Sequence, residues 1–260
     1  MPWHSSVLIP FITLQCNFNC LYCITKHAPD HQFSYTHLSG PQWILFINSQ
    51  DAVQDVIFNG GEPTLHPDFP DIINSLRSFR LIAVGTNYSD SATRALLKIS
   101  PRADLILDGT FHPRSISFPD ICVNLRKLKQ AGFKVRVHVL DYPGFIASPS
   151  RWVHSFKLKG IDSFVQKFEG FYKDDFFYDQ RKLPFCGFNA RSSCRCTRSI
   201  YTPIAPDGTI YFCHYLMYSN SVDGRLGNVL DPPLSFPPYL DCAHLGFCSV
   251  CDWPRSISFV

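Results

Sequence analysis

Short apolar runs alternate with longer amphipathic stretches as far as residue 170. The runs Val7–Leu14, Val53–Phe58, Leu81–Val84, Leu105–Asp108, Val135–Leu140 and Ser163–Phe168 have the length and the β-branched content of buried strands. Between them lie helical patterns at Pro41–Ser49, at Asp68–Phe79, from Ser89 or Asp90 onward, at Pro119–Ala131 and at Pro149–Lys159. Pro41, Pro119 and Pro149 suit first helical turns, Ser148 suits a cap, and Gly132 and Gly160 suit the stops. Strand and helix in strict alternation predict an α/β fold on a parallel sheet, with about six β/α units. After Gly170 the alternation ends. The run Ala205–Cys213 predicts a hairpin turning at Asp207-Gly208, with Cys196 on the strand before it. The expected division is residues 1–170 and 171–260.

The chain has 260 residues, 45% of them hydrophobic, which is enough for a large core. A net charge of +3 without a basic tract argues against nucleic acid as a partner. No apolar run approaches the roughly 20 residues of a membrane helix, and no membrane partner is expected. The first residues, Met1-Pro2-Trp3-His4, carry no Lys or Arg of a secretory signal. A reducing cytoplasm is therefore the expected location. There the 11 cysteines serve as ligands rather than as disulfides.

Cys16, Cys20 and Cys23 follow the first strand with the spacing Cys-x3-Cys-x2-Cys. An odd trio in so tight a loop is not a disulfide framework. Three thiolates can hold three corners of a cubane cluster and leave the fourth iron open to a small molecule. Zinc is the competing reading, but it prefers four closed ligands, and His27 is the nearest candidate for a fourth. A second motif, Gly60-Gly61-Glu62-Pro63, follows the second strand, where two glycines allow the backbone to turn sharply against a ligand.

The cysteine trio, with Tyr22 before its last member, and the Gly-Gly-Glu-Pro turn together resemble the radical S-adenosylmethionine (SAM) superfamily. The resemblance implies a partial (β/α)6 TIM-like barrel, a [4Fe–4S] cluster on Cys16, Cys20 and Cys23, and SAM chelated to its open iron. One electron would then release a 5′-deoxyadenosyl radical that takes a hydrogen atom from a substrate C–H bond. By the same likeness Tyr22 lies near the adenine. Gly60, Gly61, Glu62 and Pro63 meet the SAM amino group, and Thr86, Asn87 and Asp108 contact its ribose or carboxylate. Ligand sites of such folds lie at the C-terminal strand ends. That places His138, Asp141, Glu169 and His112 as candidate bases, with Thr110 and Lys167 nearby and Arg198 a further base or an anion-steering group.

The later cysteines, with the spacing Cys196-x11-Gly208-x4-Cys213 and a distal Cys248-x2-Cys251, resemble the auxiliary-cluster extensions called SPASM and twitch domains. This implies a small C-terminal Cys-rich domain with one auxiliary [4Fe–4S] cluster on Cys196, Cys213, Cys248 and Cys251. Cys194 and Cys242 remain alternatives, and a zinc ribbon on the same thiolates is the competing reading. The expected reaction is dehydrogenation of a polar small molecule, with the auxiliary cluster taking the second electron and a flavodoxin or ferredoxin supplying the first. The alternatives are epimerisation of a sugar or peptide residue with Cys186 as hydrogen donor, a peptide-modifying maturase, and a non-catalytic metal-binding scaffold.

Overall fold

The structure, a computed structural model, describes residues 6–23, 36–145, 147–168, 201–218 and 220–231, and strand segments at 170–172, 175–177, 194–197, 239–242 and 257–258. Six parallel strands form its centre: β1 (Val7–Pro10), β2 (Asp55–Phe58), β3 (Leu81–Val84), β4 (Leu105–Phe111), β5 (Lys134–Asp141) and β6 (Asp162–Lys167). Helices α1 (Gly40–Asn48), α2 (Phe69–Ser75), α3 (Asp90–Leu96), α4 (Phe118–Gln130) and α5 (Pro149–Leu158) alternate with them. This is the expected α/β alternation on a parallel sheet.

Alternation within the strands sorts their faces. In β5, Val135, Val137 and Val139 are buried against the helical layer, while Arg136, His138 and Leu140 take the other face. The caps are where polar side chains can supply them. Ser89 Oγ accepts the Ala92 N–H at the start of α3, and Ser117 Oγ accepts the Asp120 N–H at the start of α4.

The three largest boundary shifts each have a local reason. β1 stops at Pro10 instead of Leu14, because the next residues, past a single bridge from Phe11 to Asn59, leave the sheet to follow the glycine turn. α2 stops at Ser75 instead of Phe79. Its would-be continuation finds tertiary acceptors: Arg77 N–H donates to Asn48 Oδ1, Phe79 N–H to Asp104 Oδ2 and Arg80 N–H to the Gln54 carbonyl. β4 runs on to Phe111, so Asp108 is a mid-strand residue rather than a strand end.

The predicted hairpin is present as β10 (Tyr201–Ile204) and β11 (Thr209–Tyr211). Asp207 Oδ1 accepts the Thr209 N–H in its turn. Gly208 there has φ +82°, and a Cβ would lie 2.6 Å from Val229 Cγ2. The hairpin extends the central sheet: β10 pairs in parallel with β1, and β12 (Arg225–Asn228) completes the order β12-β11-β10-β1-β2-β3-β4-β5-β6. Residues from beyond position 171 thus share a sheet with β1. Two smaller sheets stand beside it in the topology: β7 (Gly170–Tyr172) with β8 (Asp175–Phe177), and β9 (Cys194–Thr197) between β13 (Tyr239–Cys242) and β14 (Ile257–Ser258). Cys196 lies on β9, and the register of β9 with β13 sets Cys194 opposite Cys242.

Tyr88 locks the sheet beneath the candidate site. Its hydroxyl lies 2.7 and 2.8 Å from the Leu107 and Arg136 carbonyls and accepts the Gly109 N–H at 3.2 Å. Leaving those buried groups unpaired would cost about 1–3 kcal/mol. Gly109 is required here, since a Cβ would lie 2.4 Å from the Tyr88 ring. Among the described residues, no helix is long and apolar enough to cross a membrane.

Candidate active site

The cysteine loop is shaped by its contacts with the glycine turn. Gly61 N–H donates to the Thr13 carbonyl at 3.1 Å, and Glu62 N–H to the Gln15 carbonyl at 2.7 Å. The approach leaves no room for side chains: a Cβ on Gly60 would lie 2.3 Å from the Thr13 oxygen, and one on Gly61 2.2 Å from the Gln15 oxygen. On the far side Asn17 Nδ2 donates to Ser89 Oγ and Ser91 Oγ, and its Oδ1 accepts from Asn87 Nδ2. The loop is therefore held to the ends of β2 and β3.

Glu62 is fully buried beneath this junction. Its carboxylate accepts from Thr64 Oγ1 at 2.6 Å, Asn87 N at 2.7 Å and Thr86 Oγ1 at 3.1 Å. Burial pushes its carboxyl upward, against those hydrogen bonds, which favour the ionised form. Glu62 and Pro63, expected at the SAM amino group, are both buried and lie outside the cavity lining. Glu62 instead fixes Thr86 and Asn87, which do line the cavity.

That cavity, about 460 Å³, opens at the C-terminal ends of the parallel strands. Cys16, Cys20, Cys23, Tyr22, Gly60 and Gly61 are part of its lining. Cys16 Sγ accepts the Phe18 N–H at 3.4 Å. Burial raises the Cys16 thiol, and the charges of Glu62, Cys23 and Cys20 raise it further. Three thiolates that repel one another suit a cationic iron–sulfur core. Among the described residues, no three His, Cys, Asp or Glu side chains gather into a single-ion cage. Three cysteine thiols lining one cavity are the ligand type that a [4Fe–4S] cluster takes, so the residues present fit that group.

The lining also holds a charged column. Arg136 donates to both Asp108 oxygens at 2.7 Å, and His138 Nε2 lies 2.5 Å from Asp108 Oδ1. His138 Nδ1 faces Gln166 Oε1 at 2.5 Å. Burial alone would raise the Asp108 carboxyl, but the hydrogen bonds from Arg136 and His138 outweigh it and hold the group at about 2. A depressed carboxyl contributes stability above its unfolded value, near 3.9, and loses it as pH falls toward 2. The stability gap between the wild type and Asp108→Asn, read from urea midpoints, is thus expected to narrow from pH 4 to pH 2. A gap constant over that range would show that the carboxylate charge does not matter.

Tyr22 lines the cavity but is buried in an aromatic cluster with Tyr142 at 4.6 Å and Phe168 at 6.2 Å between ring centres. Its hydroxyl lies 2.7 Å from His112 Nδ1. Burial lowers the His112 ring to about 4, leaving it neutral at pH 7.

Of the candidate bases, His138 and His112 line the cavity. Asp141 is exposed and outside the lining, since alternation along β5 sets it in phase with Val137 and Val139, on the face opposite His138 and Leu140. Glu169, Cys186, Arg198, Cys248 and Cys251 lie outside the described residues, and Cys196 is described only as a strand position. Cys213 is partly buried beside Tyr211 and Phe212. Arg136, Gln166 and Tyr218 escaped sequence reasoning. The strict polar–apolar alternation of β5 carried the signal for Arg136, whereas Tyr218 reaches the lining only through the fold of helix α6 (His214–Tyr218).

Known proteins agree with this geometry. The chain is 34% identical over 84 residues to a probable GTP 3′,8-cyclase of Methanocella arvoryzae, a match spanning 32% of this chain and 27% of that protein. It is 35% identical over 78 residues to a 7-carboxy-7-deazaguanine synthase of Clostridium acetobutylicum, 29% of this chain and 35% of that one. The match thus spans about a third or less of either relative. In fold the chain resembles Streptococcus suis SuiB, with a TM-score of 0.61 and 13% identity over 87% of this chain and 64% of SuiB. It also resembles anSMEcpe with bound AdoMet, with a TM-score of 0.58 and 14% identity over 88% of this chain and 78% of the other. The family description "Radical SAM superfamily" matches residues 11–146, more than half of the chain and the whole run from the cysteine loop through β5. With its three thiols set against the glycine turn of a parallel α/β sheet, the chain belongs to the Radical SAM superfamily.

Proposed function

We propose that this protein binds a [4Fe–4S] cluster through Cys16, Cys20 and Cys23, cleaves SAM reductively, and oxidises a C–H bond of a polar small molecule or peptide. The observation that carries the reading is one cavity lined by both the three thiols and the Asp108–His138–Gln166 column. When bound, SAM and the reduced cluster supply a carbon radical that removes a hydrogen atom from the substrate.

The chain's own residues do the rest. Thr86 and Asn87, fixed by Glu62, present polar groups to the bound ligand. His138 holds a proton: Nε2–H donates to the Asp108 carboxylate, and Nδ1–H, once the ring is protonated, meets the Gln166 oxygen. Arg136 keeps Asp108 ionised, and a substrate proton reaches His138 at Nδ1 only when the Gln166 side chain turns away from it. An auxiliary [4Fe–4S] cluster of the twitch type would be held by Cys196, Cys213, Cys248 and Cys251 and would supply the acceptor for the substrate's second electron. The register that sets Cys194 opposite Cys242, two residues along β9 from Cys196, supports a metal site in this segment. A flavodoxin or ferredoxin in a reducing cytoplasm is the proposed electron donor.

Iron and sulfide assays on anaerobically purified protein test the two-cluster reading. The expected content is about eight irons per chain, falling to about four in the double variant Cys248→Ala/Cys251→Ala. About four irons in both proteins would remove the auxiliary cluster, and with it the oxidative reading.

A further inference from the structure

Several donors converge on the sulfur of Cys20. His112 Nδ1 lies 3.5 Å from Sγ, and Ser115 Oγ lies 3.9 Å from it. The Tyr22 hydroxyl hydrogen-bonds the Cys20 side chain and also meets His112 Nδ1 at 2.7 Å. Around Cys16 Sγ the corresponding contacts are the Phe18 N–H at 3.4 Å and Asn87 Nδ2 at 4.0 Å.

A metal-bound thiolate can only accept. That fixes the direction of the triangle: the Tyr22 and Ser115 hydroxyls donate to Sγ, and the His112 Nδ1–H points toward Sγ and the Tyr22 oxygen. Aromatic rings crowd the Tyr22 and His112 members of the triangle, while Ser115 stands exposed. The Tyr22 ring packs against Tyr142, Phe145 and Phe168, and the Phe18 ring meets His112 edge-on at 5.8 Å. Arg114 Nη2 donates to the Gly144 carbonyl at 3.0 Å, tying the loop after β4 to the loop after β5.

We propose that Tyr22, His112 and Ser115 are positioning residues that raise the reduction potential of the N-terminal cluster through Cys20. The inference rests on the reading that Cys16, Cys20 and Cys23 hold that cluster. Hydrogen bonds to a ligating sulfur draw off negative charge and so favour the state with the extra electron. The step tuned is the uptake of one electron from the external donor, and no proton moves in it.

The test is an EPR-monitored redox titration of the anaerobic holoprotein, following the signal that shifts when SAM is added. In His112→Phe the ratio of reduced to oxidised cluster at a fixed solution potential is expected to fall about tenfold, which for one electron is 59 mV. Ser115→Ala is expected to give a smaller fall in the same direction. His112→Asn, which returns an N–H donor near the Nδ1 position, is expected to restore most of the ratio. Iron content should match the wild type throughout; should His112→Phe lose iron, Ser115→Ala and Tyr22→Phe carry the measurement. Wild-type ratios in all iron-replete variants would overturn the proposal. A wild-type chain with no cluster at all would overturn both the proposal and the reading beneath it.

Discussion

Replacing Cys16, Cys20 and Cys23 together by Ala is expected to reduce 5′-deoxyadenosine formation to background while leaving the fold intact. The reasoning is local. Cys16 is exposed and Cys20 and Cys23 are only partly buried, with Cys20 at the edge of the Tyr22–Tyr142–Phe168 cluster. The loop's position is set elsewhere, by backbone bonds from Gly61 and Glu62 and by Asn17 on Ser89 and Ser91. Loss of the thiols therefore removes the metal ligands without removing the scaffold. Anaerobic iron assay should show a loss of about four irons per chain, and the thermal midpoint of the iron-free proteins should agree between variant and wild type. Retained SAM cleavage in the triple variant would mean that other residues hold the reactive cluster.

Gly61→Ala is expected to cost about 10²-fold in 5′-deoxyadenosine formation, with a smaller loss of iron. The new methyl group would lie 2.2 Å from the Gln15 carbonyl oxygen and 2.5 Å from that of Leu14. Both obstacles are backbone, so no side chain can swing aside. The chain around Leu14–Gln15 must move, and it leads directly into Cys16. A displacement near 1 Å at a reacting centre is enough for a loss of that size. The contrast between a large catalytic effect and a modest iron deficit distinguishes misplacement from simple cluster loss. Wild-type turnover in Gly61→Ala would show that the close backbone approach is not needed.

The elements that sequence predicts well are those whose signals are local. The six central strands have contiguous apolar runs, and Ser89 and the proline-led helix starts sit where the structure has them. The cysteine trio and the glycine turn are also local, and the fold brings them together across the Phe11–Asn59 bridge. What sequence misses is decided by partners far along the chain. α2 ends early because Asn48, Asp104 and Gln54 claim the backbone donors that would have extended it. Glu62 reads as a ligand-facing acid, yet Thr64, Thr86 and Asn87 surround it, and it becomes the buried pin of the turn. The hairpin at Asp207-Gly208 is a local feature, but its parallel pairing with β1, some 190 residues earlier by the register of Val7 with Tyr201, has no local signature. The His112–Tyr22–Cys20 triangle likewise joins residues 90 or more apart in sequence.

The proposed function needs an iron that the three thiolates leave open to SAM. The most direct measurement is the EPR spectrum of the dithionite-reduced, anaerobic protein before and after SAM is added. A shifted cluster signal, absent from the triple cysteine variant, is the predicted result. A spectrum identical with and without SAM, in a protein that carries its full iron, would contradict it.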